Sequence, residues 1–182
     1  MTIGITTTDK QPPPKPDIIN MHTLSMYVSN KPGVLMRICQ VFARRGYNID
    51  SLTVAPTEDR TLSRMTLVTQ ASDQVIEQIT KQLHKLIEVV KLIDLSEGVH
   101  IEREMMMVKV RAAGAQREEV KRTADIFRGQ IIDVTPSTYT VQVAGNSEKL
   151  DAFIGSLAQA TVLEVVRSGV SGIARGEKTL AV

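Results

Sequence analysis

The chain reads as an α+β protein of two tandem units behind a polar N-terminal arm, each unit ordered strand, helix, strand, strand, helix, strand. Three observations predict this. Short runs with apolar residues at every second position alternate with longer runs whose apolar residues recur every three or four, the two periods of strands and amphipathic helices. The order of runs after Gly98 repeats the order before it. A length of 182 residues with 42% hydrophobic side chains divides into two domains of about 75–80 residues, each able to close a core.

Residues 1–17, MTIGITTTDKQPPPKPD, carry Thr6, Thr7 and Thr8, then Pro12, Pro13, Pro14 and Pro16, and few apolar side chains. Such a segment cannot offset the entropy of ordering it, so a disordered arm is expected over residues 1–19. It lacks the apolar stretch of a secretory leader, and no run approaches the length of a membrane helix. In residues 22–29, Leu24, Met26 and Val28 share one face, with Thr23, Ser25 and Tyr27 on the other: a strand. Asn30-Lys31-Pro32-Gly33 makes a turn that opens a helix with Pro in its first turn. Over residues 34–45, Val34, Leu35, Ile38, Val41 and Phe42 form one buried face, Arg44 and Arg45 sit at the negative end, and Gly46 takes the left-handed cap. NIDSLTVAP and LSRMTLVTQ are the second and third strands, a hairpin across the polar turn from Pro56 to Arg60. Ser72 or Asp73 caps a helix carrying Val75, Ile76, Ile79, Leu83 and Leu86, and VVKLIDLS closes the unit, a ferredoxin-like βαββαβ arrangement.

The second unit follows the same order. MMMVKVRA is a strand, with core packing expected of its Met triplet. Residues 115–128 are a helix with Val120, Ala124 and Phe127 inward. QIIDVT and TYTVQVAG are strands joined across Pro136-Ser137. Asn146 or Ser147 caps a helix bearing Leu150, Phe153, Ile154 and Leu157, and VLEVVRSG is the last strand. The apolar rhythm breaks at Glu97-Gly98, which divides the chain into domains 20–97 and 98–182, and the closing SGVSGIARG reads as a flexible tail. Two helices cover only one face of a four-stranded sheet. The second face, with Thr23, Ser25 and Tyr27, needs either a second copy or the other half of the chain against it, and at least a dimer is expected.

Several functions are disfavoured at once. Lys and Arg number 22 against 20 Asp and Glu, a net charge of +2, too balanced for binding nucleic acid by charge, and aromatic residues at 3% give no stacking platform. A lone Cys39 excludes an internal disulfide and any multi-thiolate metal site and suits a reducing, cytoplasmic setting. His22, His84 and His100 are scattered and read as surface or strand-end residues, and no metal site is expected. GxSxG, GxxxxGK[ST] and GxGxxG are absent. The carboxylate pairs Asp50 with Glu58 and Asp94 with Glu97 read as solvated strand-end acids. No catalytic residues are assigned.

Chemistry remains in the turn before the first helix. The first turn of a helix has unpaired N–H groups and a partial positive charge, which together suit a carboxylate. Gly33 lets a small anion approach the backbone, the Asn30 carbonyl can take an ammonium proton, and Val34 and Leu35 add apolar surface. The same residues also make an ordinary strand-to-helix turn. Asn48, past Gly46, lies at the far end of the first helix in this topology, so only a two-fold partner could bring an Asn48 to Asn30.

Residues 22–97 resemble an ACT domain. The runs RRGYNIDSLTVAPTEDRTLSRMTLVT, KQLHKLIEVVKL, VKRTADIFRGQIIDVTPSTYTVQVAG, KLDAFI and RSGVSGIARG resemble the small regulatory subunits of acetohydroxyacid (acetolactate) synthase, over about residues 20–178. This resemblance implies a non-catalytic subunit without cofactors of its own. Its partner would be a separate catalytic (large) subunit carrying thiamine diphosphate, Mg and FAD, which condenses pyruvate on the way to branched-chain amino acids. It further implies activation of that subunit, feedback inhibition by valine, and homodimers through the ACT domains. The effector site it implies comprises Asn30, Gly33, Val34 and Leu35 from one chain with Asn48 and Ile49 from the other. One methylene changes binding by about 1–3 kcal/mol, so the choice among valine, leucine and isoleucine stays open. Two other classes, an amino-acid-responsive regulator acting on nucleic acid and an enzyme of another type, lack the helix-turn-helix or catalytic constellation they need.

Overall fold

Alternating side chains and paired registers organise the first half. The computed structural model describes residues 18–157 and 160–180; residues 1–17 of the expected arm lie outside the described residues. β1 (Ile19–Ser29), β2 (Ser51–Pro56), β3 (Leu62–Ser72) and β4 (Val89–Asp94) form an antiparallel sheet in the order β2-β3-β1-β4. Leu24 stands opposite Leu67 and Met26 opposite Met65, which places both apolar rows on one face. The helices α1 (Val34–Ala43) and α2 (Asp73–Leu83) cover that face and bury Ile38, Phe42, Ile76, Ile79 and Leu83 against it.

A 3₁₀ turn (Leu95–Glu97) leads to β5 (His100–Arg111), the centre of the second half. β6 (Gln130–Val134), β7 (Thr138–Gly145) and β8 (Thr161–Arg167) complete a sheet ordered β6-β7-β5-β8. α3 (Gln116–Ile126) and α4 (Ser147–Ser156) pack Val120, Ala124, Leu150 and Phe153 on Met106, Val108, Val110, Val141 and Val143; of the Met triplet only Met106 is a core residue, because strand alternation turns Met105 and Met107, both half-buried, to the other face. Phe127 and Phe153 meet edge to face with ring centroids 5.5 Å apart. Asn146 supplies the α4 cap, its Oδ1 accepting the Lys149 N–H. The ferredoxin-like order holds in both halves.

Three boundaries differ from expectation. β1 begins at Ile19, inside the expected arm, because Ile19 and Asn20 find Ser72 and Ala71 as partners. β2 starts at Ser51 rather than Asn48, since the Asn48 carbonyl is taken by the Thr69 hydroxyl instead of a ladder amide. The third difference corrects the expected flexible tail. Residues Ser171–Ala174 form a strand, β9, whose Ile173 and Gly172 pair with Ile101 and Glu102 at the start of β5.

That strand also covers the second face of the first sheet. A Cβ added at Gly172 would fall 2.6 Å from the Leu95 Cδ1 and 3.5 Å from the Thr23 methyl. Arg64, stacked over Tyr27 on the same face, donates to the Gly172 carbonyl and to Ser25, whose side chain is 0% exposed. Val170 and Leu180 are buried nearby. Of the two covers considered for this face, the other half of the same chain supplies one.

Candidate functional site

The mouth of α1 is built from backbone bonds between three segments. At the end of β1, the Ser29 N–H donates to the Glu88 carbonyl (2.8 Å) and the Asn30 N–H to the Thr61 carbonyl (2.7 Å). The Asn30 Nδ2 donates to the Arg60 carbonyl at 2.9 Å, which leaves Oδ1 as the acceptor of this exposed side chain. Gly33 then takes φ 86°, a left-handed conformation that sets the direction of α1. No side chain caps the helix and no acid stands in its first turn, so the helix itself supplies no negative charge at its positive end. An ion pair between Arg37 and Glu88 holds the first turn to the loop before β4.

The apolar neighbours divide. Val34 is 5% exposed and belongs to the core, so its side chain is not offered to a ligand; Leu35, 43% exposed, is. At the other end of α1, Gly46 has φ 70° and reverses the chain. Asn48 is exposed, its Nδ2 bonded to Asp50 Oδ1 at 2.7 Å, and Ile49 is half-buried against the core. Asn30 binds the β3 side at Thr61 and Asn48 at Thr69. Eight residues of extended chain span roughly 26 Å. One protomer therefore brings together Asn30, Gly33 and Leu35, and separately Asn48 and Ile49, but not the two groups.

One acid and a histidine depart from expectation. His22 is buried, with Nδ1 2.8 Å from Asp94 Oδ2 and Nε2 3.5 Å from Asp73 Oδ1. Asp94 is correspondingly not a solvated acid; its side chain is 6% exposed and its other oxygen accepts the Ser96 N–H. Glu104, not singled out from the sequence, is buried as well. Its Oε2 accepts from Arg167 Nη2 (2.7 Å) and its Oε1 from the Gly169 N–H (3.2 Å). The Glu104 hydrogen bond raises the Arg167 guanidinium further above its ordinary value, against desolvation, with the Asp151 hydrogen bond adding to it. A signal for all three was present: His22 shares the parity of Leu24 and Met26, Asp94 that of Leu92, and Glu104 that of Met106 and Val108. A polar residue on a core face is a buried, partnered one. Among the described residues, no group of three or more His, Cys, Asp or Glu is placed to hold a metal ion, and no helix is long and apolar enough to cross a membrane.

Comparison with known proteins places this geometry in a family. Residues 24–91 match the AHAS small subunit-like ACT domain, and residues 103–176 match the small subunit of acetolactate synthase. The chain is 58% identical to the acetolactate synthase isozyme 3 small subunit of Salmonella typhimurium over 158 residues, 86% of this chain and 97% of that one. It is 57% identical to the Escherichia coli isozyme 3 small subunit over the same shares. Among solved structures, the acetolactate synthase small subunit of Thermotoga maritima superposes with a TM-score of 0.79 at 41% identity, over 87% of this chain and 99% of that one. The first half is thus an ACT domain, and the chain as a whole has the two-domain plan of a synthase small subunit. It belongs to the family of acetolactate synthase small subunits.

Proposed function

We propose that the chain activates a separate acetolactate synthase catalytic subunit and makes it sensitive to feedback by a branched-chain amino acid, valine first among them. In this reading thiamine diphosphate, Mg and FAD, and the condensation of pyruvate, belong to the catalytic subunit. The small subunit contributes an effector site at the two-fold between ACT domains of a homodimer: Asn30, Gly33, Val34 and Leu35 of one protomer with Asn48 and Ile49 of the partner protomer. The observation that supports it best is the mouth of α1, where the Asn30 Oδ1 stands beside an uncapped helix start with no acid in its first turn. An ammonium and a carboxylate each find a complement there. Val34 enters this site through its backbone, its side chain being in the core, and Leu35 carries the apolar contact.

A valine side chain buried at Leu35 and Ile49 contributes about 1.5–3 kcal/mol, enough to discriminate against glycine or alanine. Inhibition requires that the effector bind one arrangement of the dimer better than another. The experiment is reconstitution: the purified chain is mixed with a catalytic subunit and acetolactate formation followed with and without valine. Activity should rise on mixing and fall with valine, and Asn48→Ala should remove the valine response while keeping activation. Valine sensitivity unchanged in Asn48→Ala would remove the pocket from consideration.

A further inference from the structure

Resting on that effector reading, we propose that residues 168–172 are a coupling strap that carries effector occupancy from the start of β2 to the second domain, with Ser51, Thr53 and Glu104 as its positioning residues. β2 begins three residues after Asn48. Its Ser51 Oγ accepts the Val170 N–H at 2.8 Å, and its Thr53 Oγ1 donates to the Val170 carbonyl. Two hydroxyls on one face of a strand thus grip both backbone polar groups of a single residue from the other half of the chain. Gly169 allows the approach: a Cβ there, at φ 83°, would lie 2.9 Å from Ser51 Oγ. On the other side, the Gly169 N–H donates to Glu104 Oε1, Glu104 Oε2 accepts from Arg167, and Arg167 Nη1 reaches Asp151 of α4 at 2.8 Å. The segment is bonded without a break from β2 to β5 and α4.

A cleft of about 420 Å³ lies between the halves, with Asp50 and Ser51 on one wall and Glu104, Asp151 and Arg167 on the other. The contact that an effector would change is the Asn48 side chain, which here donates one of its two Nδ2 protons to Asp50 Oδ1. A ligand that turns this amide toward itself breaks that bond and frees the Asp50 carboxylate in the cleft that Arg167 also lines. The halves then have two arrangements, distinguished by the partner of Asp50, and the effector favours one of them.

The test uses the full chain with its catalytic subunit, valine as the ligand, and the variants Ser51→Ala/Thr53→Val and Glu104→Gln. Activation is expected to stay within about twofold of the parent, and valine to bind the isolated small subunit within about twofold, while the inhibition midpoint rises at least about fivefold. Splitting binding from inhibition separates coupling from mere loss of structure, and the conservative Glu104→Gln guards against misfolding of the double variant. Folded variants inhibited like the parent would overturn the coupling. Asn48→Ala distinguishes the two levels. If it abolishes valine binding while the strap variants respond like the parent, only the coupling falls. If it leaves valine bound, the effector site falls and the coupling with it.

Discussion

At Gly33 the requirement for glycine is torsional, not spatial: φ is 86°, yet an added Cβ would meet nothing within 4 Å. Gly33→Ala should therefore cost about 1–2 kcal/mol, the left-handed penalty of an L-residue, read as a shift in the urea midpoint. Gly33→Asn should recover part of it, since Asn tolerates that region. Asp94 has a different kind of cost. Replacing it by Ala removes the acceptor of both the His22 ring and the Ser96 N–H, and should destabilise by about 1–3 kcal/mol in the same measurement. The turn before α1 was legible, because Asn, Pro and Gly before an amphipathic run have few backbone solutions, but Pro32 lies ahead of the Gly33 cap rather than in the first turn, and the Val34 side chain goes to the core. The burial of His22 is signalled by the parity it shares with Leu24 and Met26, but no local pattern points to its partner Asp94, 72 positions away.

Among elements, eight strands and four helices follow from periodicity, with ends displaced by one to a few residues where side chains compete for ladder bonds, as at Asn48. β9 escaped for a physical reason. Four residues, one of them Gly, have almost no strand propensity of their own, and their partner at the start of β5 is about seventy positions back. Once β9 is placed, the first four residues of β5, which the sequence reading left outside a strand, acquire their reason as well. Gly172 is the packing point of this element. Gly172→Val would press into Leu95 and Thr23, and an overpacking cost of about 1–3 kcal/mol is expected. Hydrogen exchange should localise it: amides at Ile101 and Ile173 should lose protection, while those at Met106 and Val108 keep theirs.

For the molecule as a whole, the two halves share more than a linker. β5 gives its first residues to β9 and the rest to β7 and β8, and the strap returns to the back of the first sheet. On the proposed function, a chain ended after residue 97 should keep some activation of the catalytic subunit but respond weakly to valine and melt at a lower temperature. Full valine inhibition by the shortened chain would show that the second domain takes no part in regulation. The tandem βαββαβ plan was legible because each half carries its own hydrophobic period; how the halves meet was not, because that contact is made by hydroxyls, glycines and one arginine that carry no periodic signal.

The cover over Ser25 has a practical corollary for recombining such proteins. A chimera that joins this ACT domain to a foreign second half at Gly98 would import a stranger's C-terminal stretch onto a surface shaped for Val170, Gly172 and Leu180. Grafts should exchange both pieces together, the N-terminal module and the last dozen or so residues, even though the chain keeps them at opposite ends.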